Sequence, residues 1–132
     1  MIAVDSSAIV SIIKGEKERA RFSELLAASR CVVGAPSVLE VKMVLSSVIP
    51  PSVVDLMVAD LVGDVGIKVL DFTPEMADAA TAAFRAFGKG RGHPAQLNFG
   101  DCMAYAVAKV HGAPLLYKGE DFSLTDIVSA LA

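Results

Sequence analysis

Asp5, Glu40, Asp101 and Asp121 stand where apolar, strand-like segments of this chain give way to helix-like ones. Asp5 ends the opening MIAVD, Glu40 follows APSVL, Asp101 opens DCMAYAVAKVHG, and Asp121 follows PLLYKGE. Carboxylates gathered in one place repel one another, and the cost is high unless a cation neutralises them. Oxygen donors of this kind suit a hard divalent cation, Mg²⁺ or Mn²⁺. The chemistry to look for is therefore that of a cation held by acidic side chains. A covalent nucleophile is not expected, because neither Ser7 nor Cys102 has an evident histidine base in the sequence.

The elements that must position these residues alternate regularly. Short apolar segments at 2–4, 31–35, 67–72 and 114–117 read as strands. Helical spacing predicts helices over 6–14, 16–28, 36–49, 52–63, 74–87 and 99–111, and a short closing helix over 125–131. Pro50-Pro51 breaks one helix, Pro74 and Asn98 start two others, and Gly112 stops the last long one. This alternation predicts an α/β fold, a parallel sheet covered by helices on both faces, within one domain spanning residues 1–132. Functional crevices in such sheets lie at the carboxyl ends of the strands. Asp5 and Asp121 fall just past strand ends. Glu40 and Asp101 are placed in the first turns of crossover helices, whose N-termini lie at the same edge.

Taken singly, each acid has an ordinary structural explanation. Asp5 can cap the following helix. Ser37 and Glu40 have capping-box spacing. Asp101 suits the positive end of a helix dipole. Asp121, or its neighbour Glu120, can serve a turn. Four such explanations converging by accident on one sheet edge is the less economical account.

Composition sets further bounds. The chain has 12 Lys and Arg against 15 Asp and Glu, a net charge of −3, and 54% hydrophobic residues; its mean hydropathy is +0.55. That apolar content leaves surface for a partner or a second copy. The most apolar stretch, 38–65, is interrupted by Lys42, Pro50, Pro51, Asp55 and Asp60, so no membrane span is expected. The start MIAVDSS lacks the features of a signal peptide, which predicts a cytoplasmic protein. Cys31 and Cys102 form no metal-ligand or CxxC pattern and are expected to be small buried thiols. Lys89, Arg91 and His93 share a glycine-rich loop that lacks the order of a nucleotide-binding P-loop. Lys89 and Arg91 are candidates for phosphate contact, and Lys118 either reaches a phosphate or pairs with Asp121. His93 and His111 are read as structural.

The blocks MIAVDSS, PSVLE, NFGDCMAYA and LLYKGEDF, in this order and spacing, resemble those of PIN-domain ribonucleases of the VapC type, toxins of bacterial toxin–antitoxin pairs. The resemblance covers essentially the whole chain. It implies a three-layer sandwich with a central parallel sheet of about four to five strands, and a Mg²⁺- or Mn²⁺-dependent endoribonuclease. It also implies a homodimer held inactive by a cognate antitoxin. Carried over by position, Asp5, Glu40, Asp101 and Asp121 form an acidic quartet supported by the Ser7 hydroxyl, with Asp121 favoured over Glu120. Asp5 and Asp101 are the first choice for direct metal ligands, with Glu40 and Asp121 serving a second metal or acting through water. Two alternatives are carried forward: a catalytically silent binding module of the same fold, and a phospho-accepting receiver domain. The receiver is disfavoured because it needs an Asp after a central strand where this chain has VVGAPS.

Overall fold

In the computed structural model, which describes residues 1–131, β1 (Ile2–Val4), β2 (Cys31–Gly34) and β4 (Leu115–Leu116) are buried at every position. Such uninterrupted apolar runs belong to strands covered on both faces. β3 (Lys68–Leu70) is more exposed and carries a lysine, as suits an edge. The strands are all parallel, in the order β3-β2-β1-β4. Ile2 pairs with Cys31, Ala3 with Leu115, and Val32 with Lys68. The order reverses direction at β1: the chain moves outward from β1 to β3, then returns to add β4 on the other side. The crevice at the β1/β4 carboxyl ends is thus the topological switch point, where open α/β sheets place their ligands.

Alternation along the strands divides the core in two. Ile2, Val4, Cys31, Val33 and Leu116 face a layer containing α1 (Ser6–Ile13), α2 (Arg19–Ala27), α3 (Ala35–Leu45) and α4 (Pro51–Val65). Ala3, Val32 and Leu115 face α5 (Pro74–Phe87) and α6 (Phe99–Val110). Local chemistry explains the helix ends. Thr73 accepts a hydrogen bond from the Met76 amide, and Gly66 closes α4 at φ 75°.

Three elements differ most from the sequence expectation; α3, expected to run to residue 49, ends at Leu45. α2 begins at Arg19 rather than Glu16, because Gly15 turns the chain at φ 68°. Residues 125–131 form no helix. After a 3-10 turn over Asp121–Leu124 the chain extends along β4, with Leu115 N donating to Val128 O at 2.8 Å and Ala130 N to Leu115 O at 2.9 Å. Pairing of an otherwise bare sheet edge outweighs the weak helical pattern there. Lys109 and Tyr105 on α6 both hold Asp126, Lys109 Nζ at 2.8 Å, and so pin the segment.

Leu116 is fully buried beneath the switch point. Leu116→Ala should lower stability by about 2–5 kcal/mol, read as a reduced urea midpoint at unchanged m-value. An unaltered midpoint would show that β4 is not part of the cooperative core.

Candidate active site

Asp5 leaves the central strand in extended conformation and caps α1. Its Oδ2 accepts from the Ser7 amide at 3.1 Å and from the Ser7 hydroxyl at 2.5 Å. The Ser7 oxygen in turn accepts from the Lys118 amide at 2.9 Å, tying the exit of β4 to the exit of β1. Asp5 is 3% exposed, and its Oδ1 has no hydrogen-bond partner. Burial pushes its carboxyl above the usual range, against the pull of the Ser7 hydrogen bonds. A carboxylate capping a helix needs one oxygen for the cap; the second, buried and unsatisfied, has no structural use.

Glu40 reaches the same place by a route that sequence spacing did not reveal. α3 starts at Ala35 directly after β2, so Glu40 lies in its second turn rather than its first. No side chain caps α3, and the Ser37–Glu40 capping box does not form. Glu40 Oε1 instead accepts from the Ser6 hydroxyl at 2.6 Å, across 34 residues of sequence. Ser6 is the supporting residue missed in the sequence; the doubled serine after Asp5 is its one signal.

Asp101 does form its capping box. Asn98 Oδ1 accepts from the Asp101 amide at 2.8 Å, and Asp101 Oδ2 from the Asn98 amide at 3.1 Å. Its carboxyl is nevertheless pushed up to about 6, first by burial and then by the charges of Asp5, Asp121 and Glu40, with the Asn98 amide opposing. The structure thus brings the quartet within electrostatic reach. Asp121 opens the 3-10 turn and is exposed. Glu120 accepts from the Ser123 hydroxyl through its backbone carbonyl at 2.6 Å and through Oε2 at 3.3 Å.

Among the described residues, no three acidic, histidine or cysteine side chains close into a ready-made cation cage. The donors still fit a hard divalent cation: all are carboxylate oxygens, one is buried without a partner, and the charges of the neighbouring acids add to the raised proton affinity of Asp5 and Asp101. Mg²⁺ keeps several waters, which can span carboxylates that do not converge on a single point.

The basic residues take different places. Lys118 does not pair with Asp121; its Nζ lies 3.1 Å from Glu16 and 3.5 Å from Glu18, in the turn after α1. Lys89 and Arg91 are exposed in the 88–97 loop, Arg91 over the Phe84 ring at 5.7 Å. His93 shapes that loop, its Nδ1 accepting from the Ala95 amide at 3.0 Å and its ring packing edge-on against Phe87. His111 caps the C-terminal end of α6. Cys31 and Cys102 are buried, and burial pushes both thiols up, away from nucleophilic use.

Residues 2–128 match the PIN domain. Among curated proteins, the chain is 41% identical to Ribonuclease VapC42 of Mycobacterium tuberculosis over 125 residues, covering 94% of this chain and 95% of that one. It is likewise 41% identical to Ribonuclease VapC28 of the same organism over 129 residues, covering 97% and 96%. Among solved structures, it superposes on M. tuberculosis VapC20, a sarcin-ricin-loop-cleaving toxin, with a TM-score of 0.79 at 17% identity over 98% of both chains. It superposes on VapBC2 from Rickettsia felis, bound to promoter DNA, with a TM-score of 0.77 at 14% identity, covering 98% of this chain and 96% of that one.

A carboxyl whose folded pKa lies above its ordinary value stabilises the fold at low pH and loses that contribution as pH rises through the folded value. Asp101, at about 6 against 3.8, sets the window. In chelator, the melting temperature should fall as pH rises from about 4 to 6. Asp101→Asn should flatten that slope, and a slope left unchanged would contradict the coupling.

Proposed function

This chain belongs to the PIN-domain VapC ribonuclease family, and on that footing we propose that it is a toxin endoribonuclease that hydrolyses RNA with a divalent cation at the β1/β4 crevice. The observation that carries the metal assignment is the buried, unpartnered Oδ1 of Asp5, in a site where the Glu40 charge acts on Asp5 and the charges of Asp5, Asp121 and Glu40 act on Asp101. Asp5 and Asp101 are assigned as direct ligands, and Glu40 and Asp121 as ligands of a second ion or through water. Mg²⁺ or Mn²⁺, when bound, acidifies a water and offsets charge on the phosphoryl oxygens.

The remaining work falls to the chain itself. Ser7 and the Lys118 amide hold Asp5 in one rotamer, and Ser6 orients Glu40. The two carboxylates are therefore set before substrate arrives, which lowers reorganisation during reaction. Asp121, which is exposed, is assigned to accept a proton or bind water beside the incoming phosphate. Lys89 and Arg91 are assigned to more distant RNA phosphates, where sequence-independent contacts give affinity without base preference. RNA of the transfer or ribosomal type is the expected class of substrate.

The family also points to partners. Curated relatives carry the VapC name, and one similar structure is a toxin–antitoxin complex from Klebsiella pneumoniae, at 13% identity with a TM-score of 0.68. We assign an antitoxin and a second copy of the chain as partners. Two apolar grooves, about 710 and 550 Å³, flank Phe99. Leu39, Met43, Val44 and Phe99 stand 47–82% exposed beside the acidic crevice. Apolar surface of this extent calls for cover.

The deciding experiment is cleavage of labelled tRNA and total RNA by antitoxin-free protein in Mg²⁺, Mn²⁺ or EDTA. Discrete fragments should appear only with metal. Asp5→Asn and Asp101→Asn, both folded, should each reduce the rate on the order of 10²-fold or more. Cleavage that persists in EDTA or in both variants would move the active site elsewhere. A folded, metal-responsive protein that cuts no RNA would favour the silent binding module.

A further inference from the structure

Gly100 is the second residue of α6 and is buried, yet no turn or positive φ requires glycine there. Within a helix, glycine is less favourable than alanine, so its presence asks for a reason. The space its side chain would fill is taken. A Cβ on Gly100 would lie 2.2 Å from Oε2 of Glu40, and 2.8 Å from both its Cδ and its Oε1. All three nearest atoms belong to one carboxyl group. The Glu40 carboxylate is thus held from two sides: the Ser6 hydroxyl at the start of α1 donates to Oε1, and the bare backbone of α6 receives the rest.

We propose that Gly100 is a positioning residue of the active site: by lacking a side chain, it opens the slot that seats Glu40 beside Asp101. The inference rests on the nuclease reading above and adds to it a residue with no functional group. It also explains why Glu40 can act from the second turn of α3. A carboxylate there reaches the crevice only by lying against the first turn of α6, and any β-carbon at position 100 would turn it out toward solvent. Glu40 is half-buried, so that escape is open to it.

The test compares wild type, Glu40→Ala, Gly100→Ala and the Gly100→Ala/Glu40→Ala double variant. RNA cleavage is measured in all four. Separately, in the absence of RNA, the Mn²⁺ concentration that gives half of the metal-dependent rise in melting temperature is determined. Gly100→Ala should lower cleavage roughly 10–100-fold and raise the half-maximal Mn²⁺ concentration, as Glu40→Ala does. The double variant should be no worse than Glu40→Ala, because the methyl group then has nothing left to displace. A side chain at 100 with a merely structural role would move neither readout, and alanine would leave melting equal or higher.

If Gly100→Ala fails to fold, the double variant decides. A folded double variant upholds the steric conflict with Glu40, and an unfolded one overturns it, because the obstacle is then not the carboxylate. Wild-type levels of both readouts in Gly100→Ala, or a double variant with the product of the two single losses, overturn the inference alone. A wild type with neither cleavage nor Mn²⁺ response overturns the nuclease reading and this inference with it.

Discussion

A carboxylate at the end of the central strand is the constraint around which the rest of this molecule is arranged. Asp5 follows directly on Val4, inside a sheet covered by helices on both faces, and it has almost no contact with solvent. An ion in that position is expensive unless its oxygens are used. One is used twice, by the amide and hydroxyl of Ser7, and the Ser7 oxygen is itself supported by the Lys118 amide from the neighbouring strand exit. The other is buried without a partner, in a site where the Glu40 charge acts on Asp5. The chain reversal between β1 and β4 makes room for this crevice.

Burial grades across the site. Asp5 is closed in, Glu40 and Asp101 are half-buried, and Asp121 is exposed. An ion seated at the inner end would be held by fixed groups, while its outer side remained open to water and to a phosphate. The acids with the firmest local support, Asp5 and Asp101, are helix-capping residues as well. The ordinary structural reading and the functional one therefore coexist: the cap fixes the rotamer, and the fixed rotamer serves the site. Glu40 has no cap to fix it, which is why Ser6 and the bare backbone of Gly100 matter to it.

Positive charge is kept at a distance. Lys118, adjacent to the site in sequence, is engaged by Glu16 and Glu18 instead of Asp121. Its backbone amide, rather than its ammonium group, touches the acidic network. Among the described residues, none of the four acids forms a salt bridge with a lysine or arginine. Lys89 and Arg91 sit on a separate loop, tied to the body by His93 and Phe84.

Local sequence was enough to locate the four acids, the strands that precede Asp5 and Asp121, the cap at Asn98 and the parallel α/β architecture. Each of these depends on neighbours within a few residues or on the period of apolar positions. It was not enough for contacts that close over long loops. Ser6 meets Glu40 across 34 residues, Lys118 meets Glu16 across 102, and the Lys118 amide meets Ser7 across 111. Ser37-x-x-Glu40 had the spacing of a capping box, yet the helix began early enough to carry Glu40 away from it. Residues 125–131 had a faint helical pattern, but an unpaired strand edge claimed their backbone. The sequence by itself determined where the acidic groups fall relative to strand ends and helix starts, and so at which end of the sheet they would gather. Only the tertiary structure decided what holds each of them in place, because the partners come from elements that packing alone, and no local periodicity, brings side by side.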